Sequence, residues 1–432
     1  MKKVLIISYF YPPANFVGAQ RTSAWAKYLH EYGYYPIIIT RQWNEGQADL
    51  IDKQDNNQLE VEYNKTHEVH RLPYKRNLRD RLSNYPFLKF LQKTLTFKEL
   101  ILSNWRIKSL PYSNFYAYSK SLIYNNPDIK IMIASGRPFQ SFSIGHQLKK
   151  EFPKLHWIPD YRDEWSTRKS NIINSTLERW LKLLEERSEL KWTSDSTCFL
   201  TVSEVCSNNI SKFINKQGIS ISNGFDGDIT TQNSHKNNFN GDLKLLYLGS
   251  LYSYQDFTFL FESIQNINTH PTNSKILLTF LGSFSNEKEY TSLKNKTKKL
   301  DPRVRLVNKV PHEEVKDYIQ QADILFLTEY INLEGCLPVK IFDYYNSSKP
   351  ILLCPSDNGL MESFIKETES GYIVNTKEEC KIILKNLLYK KKLGEALIGP
   401  RNTKNAYFYT RKHQTKRLAS ALDELLEKDR RK

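Results

Sequence analysis

The sequence predicts an α/β protein built as two Rossmann-like domains, and three observations carry that prediction. Short continuous apolar runs recur along the 432 residues, segments of helical period separate them, and a polar stretch at 227–241 divides them into two series. Continuous rather than alternating runs mark parallel strands covered on both faces. A chain of this length exceeds one ordinary core, so two domains are expected.

The first series opens with an apolar strand at 4–8 and a loop at 12–18. Thr22, Trp25, Ala26 and Leu29 then recur at helical spacing before Gly33, which suits a left-handed helix stop. Residues 36–40 form the next strand, completing a parallel βαβ unit. Further strands are expected at 130–134, 156–159, 198–203 and 219–222. The run 227–241 has no apolar period and reads as a connection. The second series has strands at 243–249, 275–282, 304–307, 323–327 and 351–353. A basic tail follows, with Phe408, Leu418, Leu422 and Leu425 on a helical period. The expected organisation is a first domain at 1–226, a linker at 227–242, a second domain at 243–404 and a terminal helix at 405–432.

Hydrophobic content of 40% and charged content of 25% belong to a folded globular chain and exclude disorder over most of the length. Met1-Lys2-Lys3 before Val4-Leu5-Ile6-Ile7 has the outline of a signal peptide. The apolar run is short, however, and meets Pro12-Pro13 without a small-residue cleavage site, so it is read as a buried strand. No stretch approaches the roughly 18 apolar residues of a spanning helix. The five cysteines (198, 206, 336, 354 and 380) show neither metal-ligand nor disulfide spacing. A cytoplasmic, reduced protein is expected.

Net charge is +16, concentrated in two stretches: 71–110 holds ten Lys/Arg and two acids, and 401–432 holds ten and four. Within the first, Phe87, Leu88, Phe90, Leu91, Leu95, Leu100 and Ile101 alternate with Lys89, Lys93 and Lys98, as in an amphipathic helix lying on anionic lipid. The alternative is a helix packed on the domain with its lysines in water. No nucleic-acid motif accompanies the charge. A membrane surface contacted through 71–110 therefore ranks above nucleic acid, which is not expected as a partner, and a peripheral position at the inner face of the cell membrane is a further expectation.

The segment Leu333-Glu334-Gly335-Cys336-Leu337-Pro338-Val339-Lys340-Ile341-Phe342-Asp343-Tyr344-Tyr345 leads through Asn346-Ser347-Ser348-Lys349-Pro350 into the strand at 351–354. It reads as a tight turn, a short helix opened by a proline and a lysine, a polar stop and a buried strand. Free N–H groups at a helix start seat a diphosphate, and carboxylates within a turn or two hold hydroxyls, which suggests a nucleotide-sugar site. The segment resembles the donor-binding signature of glycosyltransferase family 4, the retaining sugar transferases of the GT-B fold, in which two Rossmann-like domains face each other across a cleft. Pro338, Lys340, Phe342, Asp343 and Tyr344 match the branch that carries Pro-x-Lys-x-Phe-Glu/Asp-Tyr. The family's two carboxylates are usually separated by seven residues, and Glu334 and Asp343 are separated by eight.

The resemblance implies roles for further positions. The loop from Tyr9-Phe10-Tyr11-Pro12-Pro13 to Gly18-Ala19-Gln20-Arg21 resembles the family's N-terminal loop, with Gly18 allowing close backbone approach and Arg21 adding a cation on the donor side. Ser135-Gly136-Arg137-Pro138 and Asp160-Tyr161-Arg162-Asp163-Glu164-Trp165 resemble acceptor-side loops at strand ends. An Arg162–Asp163 ion pair fixing the second loop is the competing structural reading. Phe142 stands where many relatives have a histidine, and His146 follows one turn later. After Gly249 the family usually has Arg and then Lys. Here Ser250 and Gln255 occupy that stretch, leaving the diphosphate to Lys340, Arg21, backbone N–H groups and the Ser250 hydroxyl. Val310 falls where relatives hold the nucleotide base through backbone contacts.

The candidate catalytic residues are thus Glu334, Asp163 and Arg137. The candidate donor-binding residues are Gly18, Arg21, Ser250, Val310, Gly335, Leu337, Lys340 and Asp343, with His146 as an additional candidate. The expected function is transfer of a sugar from a nucleoside diphosphate sugar to a glycan or lipid-linked acceptor, with retention, in surface polysaccharide synthesis. Neither metal nor cofactor is implied, since no Asp-x-Asp pair or His/Asp cluster is present. Two other readings stay open: a non-catalytic subunit partnering another transferase, and a sugar-nucleotide epimerase of GT-B shape.

Overall fold

The computed structural model describes the chain except residues 15, 45–57, 75, 83–84, 104–112, 169–174, 228–240, 253–254, 270–274, 283–286, 301–302, 311, 332, 336 and 432. Most of the expected linker at 227–242, Cys336 and parts of 71–110 lie outside the described residues. Two compact units result. One comprises Met1–Asn223 with Arg411–Lys432, the other Gly224–Thr410.

In the first unit the strands are β1 (Lys2–Ser8), β2 (Tyr34–Arg41), β3 (Glu60–Tyr63), β4 (Glu68–Leu72), β5 (Ile131–Ser135), β6 (His156–Tyr161), β7 (Phe199–Thr201) and β8 (Gly218–Ser220). The helices are α1 (Val17–Tyr28), α2 (Leu78–Leu82), α3 (Lys89–Ser103), α4 (Ser113–Asn125), α5 (Ser141–Glu151), α6 (Thr176–Thr193) and α7 (Glu204–Ile214). Sheet order is β3-β4-β2-β1-β5-β6-β7-β8, parallel throughout except for the antiparallel β3–β4 pair at one edge.

The apolar runs serve two cores because successive strand side chains point to opposite faces. Leu5 and Ile7 join Met132, Trp157 and Phe142 on one side, while Val4 and Ile6 join Ile131, Ile158 and Trp25 on the other. That second core also takes Leu418, Ala419 and Leu422 from the terminal segment.

The second unit has β9 (Leu243–Leu248), β10 (Ile276–Leu281), β11 (Val304–Val307), β12 (Ile324–Leu327), β13 (Ile351–Leu353) and β14 (Gly371–Ile373). Its helices are α8 (Thr258–Thr269), α9 (Glu287–Thr297), α10 (His312–Gln321), α11 (Lys340–Asn346), α12 (Leu360–Thr368), α13 (Lys377–Leu393) and α14 (Thr403–Tyr407). The strands are all parallel, in the order β11-β10-β9-β12-β13-β14. Leu245 and Tyr247 pack against α8 and α13, and Leu246, Leu325 and Leu353 against α11 and α12. A capping box between Thr376 and Glu379 starts α13, and Gly394 at φ 71° stops it.

The last helix, α15 (Arg411–Arg430), belongs to the first unit. It is pinned there by Asp423, which accepts from Lys2 Nζ and from the Tyr34 hydroxyl at 2.8 Å, and by Gln414, which accepts the Ser222 N–H at 2.9 Å. Among the described residues no helix is long and apolar enough to cross a membrane.

Candidate functional site

In each sheet the chain reverses its direction of winding beside the first strand of the series, between β1 and β5 and between β9 and β12. Carboxyl ends of strands at such a reversal are where α/β proteins bind ligands. The sequence-derived candidates are distributed over these two ends, and each unit is described by itself.

In the second unit, Lys340 is the first residue of α11. Its Nζ donates to the Tyr247 hydroxyl at 2.9 Å and lies 4.1 Å from that ring's centroid. The same hydroxyl receives Gln255 Nε2 at 3.0 Å and reaches the Ser250 carbonyl at 3.2 Å, while Gln255 Oε1 accepts the Tyr252 N–H at 3.1 Å. One phenol therefore ties the end of β9, its following loop and the start of α11 together. A second tie comes from fully buried Tyr344, whose hydroxyl accepts the Leu248 N–H at 2.9 Å. Gly249, at φ +95°, turns the chain after β9 in a conformation that side chains rarely adopt, and a Cβ there would stand 3.5 Å from Lys340 Nζ.

The remaining candidates of this unit fall around that framework. Ser250 is half-buried beside Tyr247, and Gly335 turns at φ 77°. Val310 and Leu337 are partly buried against the same apolar cluster as Leu248 and Tyr330. Glu334 and Asp343 are exposed. Sequence reading missed Tyr247, which looked like one more core residue, and Glu329, two residues beyond β12. Burial holds the Glu329 carboxyl above its ordinary range, and the charges of Asp256 and Asp357 push the same way. Its place just past a strand end is the sequence signal by which it would have been found.

In the first unit, Arg162 stitches three loops together. It donates from Nε to the Gly136 carbonyl and from a terminal nitrogen to the Arg137 carbonyl at 2.7 Å, and it lies 5.6 Å from the Phe10 ring. Its guanidinium covers Gly18, where a Cβ would come within 1.8 Å of it. Burial lowers the Arg162 pKa from its ordinary value. The ion pair in this region joins the two loops: Arg137 and Asp163, both half-exposed, approach to 3.8 Å.

Arg21 departs from its expected place. It is buried and salt-bridged to Asp160 at 3.0 Å, with a further bond to the Ile221 carbonyl. Asp160 is also buried and accepts from Ser135 Oγ at 2.9 Å. The Arg21 guanidinium is thus committed within the unit rather than presented to a donor, because a buried cation requires a partner and Asp160 supplies one. His146 is likewise buried, in the middle of α5. Its Nδ1 meets Asp195 Oδ1 at 2.8 Å in the turn after α6, which makes it a clamp between those elements.

Solved structures of similar shape identify the fold. The chain is similar to sucrose-phosphate synthase from Thermosynechococcus elongatus (TM-score 0.61, 14% identity, covering 99% of this chain and 100% of that one). It is similar to a glycosyltransferase from Rickettsia africae ESF-5 (TM-score 0.56, 14% identity, 98% of each chain). It is also similar to the trehalose-6-phosphate protein from E. coli bound with UDP-2-fluoro glucose (TM-score 0.56, 12% identity, 97% of this chain and 98% of that one). The fold is that of the GT-B glycosyltransferases. Residues 242–388, most of the second unit, match the family model described as glycosyl transferases group 1. No curated protein matches the chain in sequence.

Proposed function

We propose that the protein is a retaining glycosyltransferase of family 4 type, moving a sugar from a nucleoside diphosphate sugar to a glycan or lipid-linked acceptor in surface polysaccharide synthesis. The observation that carries the reading is Lys340, held by Tyr247 at the strand reversal of the unit that matches group 1 glycosyltransferases. A structural relative bound with UDP-2-fluoro glucose supports the donor class. In this reading Lys340, the Ser250 hydroxyl and the Gly335 backbone neutralise the departing diphosphate. Glu334 holds donor-sugar hydroxyls and Asp343 the ribose, with Val310 and Leu337 against the base. The bond from the anomeric carbon to the phosphate oxygen breaks with its electron pair leaving on the diphosphate. The acceptor oxygen bonds the anomeric carbon on the same face, and its proton passes to the leaving phosphate. Arg137 and Asp163 orient the acceptor. No metal takes part.

Thermal stabilisation by millimolar UDP, GDP or TDP, followed by turnover against nucleotide sugars and membrane extracts read by mass spectrometry, tests the reading. A response to one nucleotide, lost in Lys340→Ala, is expected. No response to any nucleotide would overturn it. That outcome would favour the second reading, a non-catalytic partner of another transferase, for which the specific motive is Gln255, an uncharged and buried residue in the stretch where relatives carry a cation.

A further inference from the structure

The first unit carries an apolar surface that its own core leaves uncovered. Phe87, in the 3-10 turn Pro86–Leu88, and Phe90, at the start of α3, are each 79% exposed. Leu91 and Ile101 on α3 are also exposed, and none of the described side chains of α3 is buried. Among its described side chains Leu95 and Phe97 are half-buried, so the helix leans on the domain there while Phe90, Leu91 and Ile101 stay in the open. On α6, which touches α3, Trp180 is 62% exposed, with Leu183 and Leu190 exposed beside it. At 3.6 residues per turn these three fall within an arc of about 80°. Burial of so many large apolar groups favours an occupant.

Charge selects which occupant. The segment 71–110 that contains α3 has ten Lys/Arg and two acids. A second copy would bring this excess against itself, whereas an anionic bilayer offers both negative headgroups and an apolar interior. We propose that the 3-10 turn, α3 and the outer face of α6 form one surface that seats on anionic lipid, with Phe87, Phe90 and Trp180 at the headgroup boundary.

Both elements are tied to the ligand end of the unit. Glu99 on α3 pairs with Arg79 at 2.9 Å, and Asp80 beside it accepts the Tyr74 hydroxyl at 2.6 Å. The Tyr74 ring lies 3.7 Å from the Arg41 guanidinium at the end of β2. On α6, Trp192 stacks on Trp165, and Glu189 accepts the Ser166 N–H at 3.0 Å, both in the loop after β6. A surface so anchored sets the carboxyl ends of the first sheet beside the bilayer, where a lipid-linked acceptor would enter. Only that last step rests on the transferase reading.

Sedimentation of the full chain with vesicles tests the proposal without any sugar transfer, so the two readings fail separately. The protein is expected to pellet with vesicles of phosphatidylcholine and phosphatidylglycerol but not with phosphatidylcholine alone, and less so as salt rises. Combining Phe87→Ser, Phe90→Ser and Trp180→Ser is expected to weaken binding about tenfold or more, with an unchanged melting curve. Each single substitution is measured in parallel, so a folding defect in the triple variant leaves the test intact. Pelleting with neither vesicle, equal pelleting with both, or unaltered binding by the variants would overturn the proposal. So would a dimer in analytical ultracentrifugation that the same substitutions dissolve.

Discussion

The ammonium of Lys340 donates to the hydroxyl of Tyr247 at 2.9 Å while lying 4.1 Å from the centroid of the same ring. One aromatic residue at the end of β9 thereby both orients and partly compensates the cation that opens α11. This arrangement separates two substitutions that would otherwise look alike. Lys340→Ala removes a charged donor and is expected to lower nucleoside diphosphate affinity by about ten- to a hundredfold. Tyr247→Phe keeps the charge and the ring, so affinity is expected to fall only a few-fold, with about 1 kcal/mol lost in stability. Titration calorimetry and urea denaturation of both variants measure the contrast, and equal losses of affinity would refute it.

Arg21 and Asp160 give a prediction of opposite kind, in stability rather than binding. Both are buried, and their ion pair is 3.0 Å long. Asp160→Ala strands a buried guanidinium and is expected to cost about 3–5 kcal/mol in urea denaturation. Nucleotide affinity of the folded fraction should stay as it was. A substitution at Arg21 that weakened nucleotide binding while leaving stability alone would restore the donor-side role.

The surroundings of the two cations differ in how far along the chain they reach. Lys340 stands in a contiguous text, Pro338 to Tyr344, whose helix start is local, whereas Arg21 is defined by Asp160, 139 residues away in sequence. A lone arginine one turn into a helix looks the same whether it faces ligand or core. The central strands were readable because Val4–Ile7 and 245–247 are buried on both faces and so are continuously apolar. The edge pair β3 and β4 was not, since Glu60, Glu62, Glu68 and Arg71 give it the composition of a loop. Three-residue β14 offers too little period to detect. Tyr247 was hidden for a related reason: its ring belongs to the β9 core, and only the tip of the side chain reaches Lys340.

Glu189 supplies a pH signature. The carboxyl is fully buried on α6 and accepts the Ser166 N–H, and burial raises its pKa above the ordinary 4.5. A carboxyl whose folded pKa is raised binds its proton more tightly in the native state. Its contribution to stability is then full below 4.5 and declines as pH rises through the folded value. Glu189→Gln keeps an acceptor for Ser166 and cannot ionise. Relative to the parent, the variant is expected to gain stability progressively as pH is raised from 4.5, measured by denaturant titration across a pH series. Parallel stability curves for the two proteins would show that Glu189 does not titrate in this way.

Gly18 and Gly371 make the last prediction because the same overlap meets two different neighbours. A Cβ on either would lie 1.8 Å from its nearest atom: a terminal nitrogen of Arg162 for Gly18, and the Ile351 carbonyl oxygen for Gly371. The Arg162 side chain can swing away, which frees it from the Gly136 and Arg137 carbonyls but leaves the sheet whole. The Ile351 oxygen belongs to the β13–β14 ladder and cannot yield without parting the strands. Gly371→Ala is therefore expected to destabilise by about 1–3 kcal/mol or more, as overpacking against rigid backbone does. Gly18→Ala should cost less than about 1 kcal/mol, since the yielding atom ends a flexible side chain. Its effect should appear instead in transfer, as reduced turnover, because the loops that Arg162 holds are those assigned to the acceptor. Denaturation of both variants, with kinetics for Gly18→Ala, decides the matter, and a stability loss at Gly18 as large as at Gly371 would show that Arg162 is as immobile as backbone.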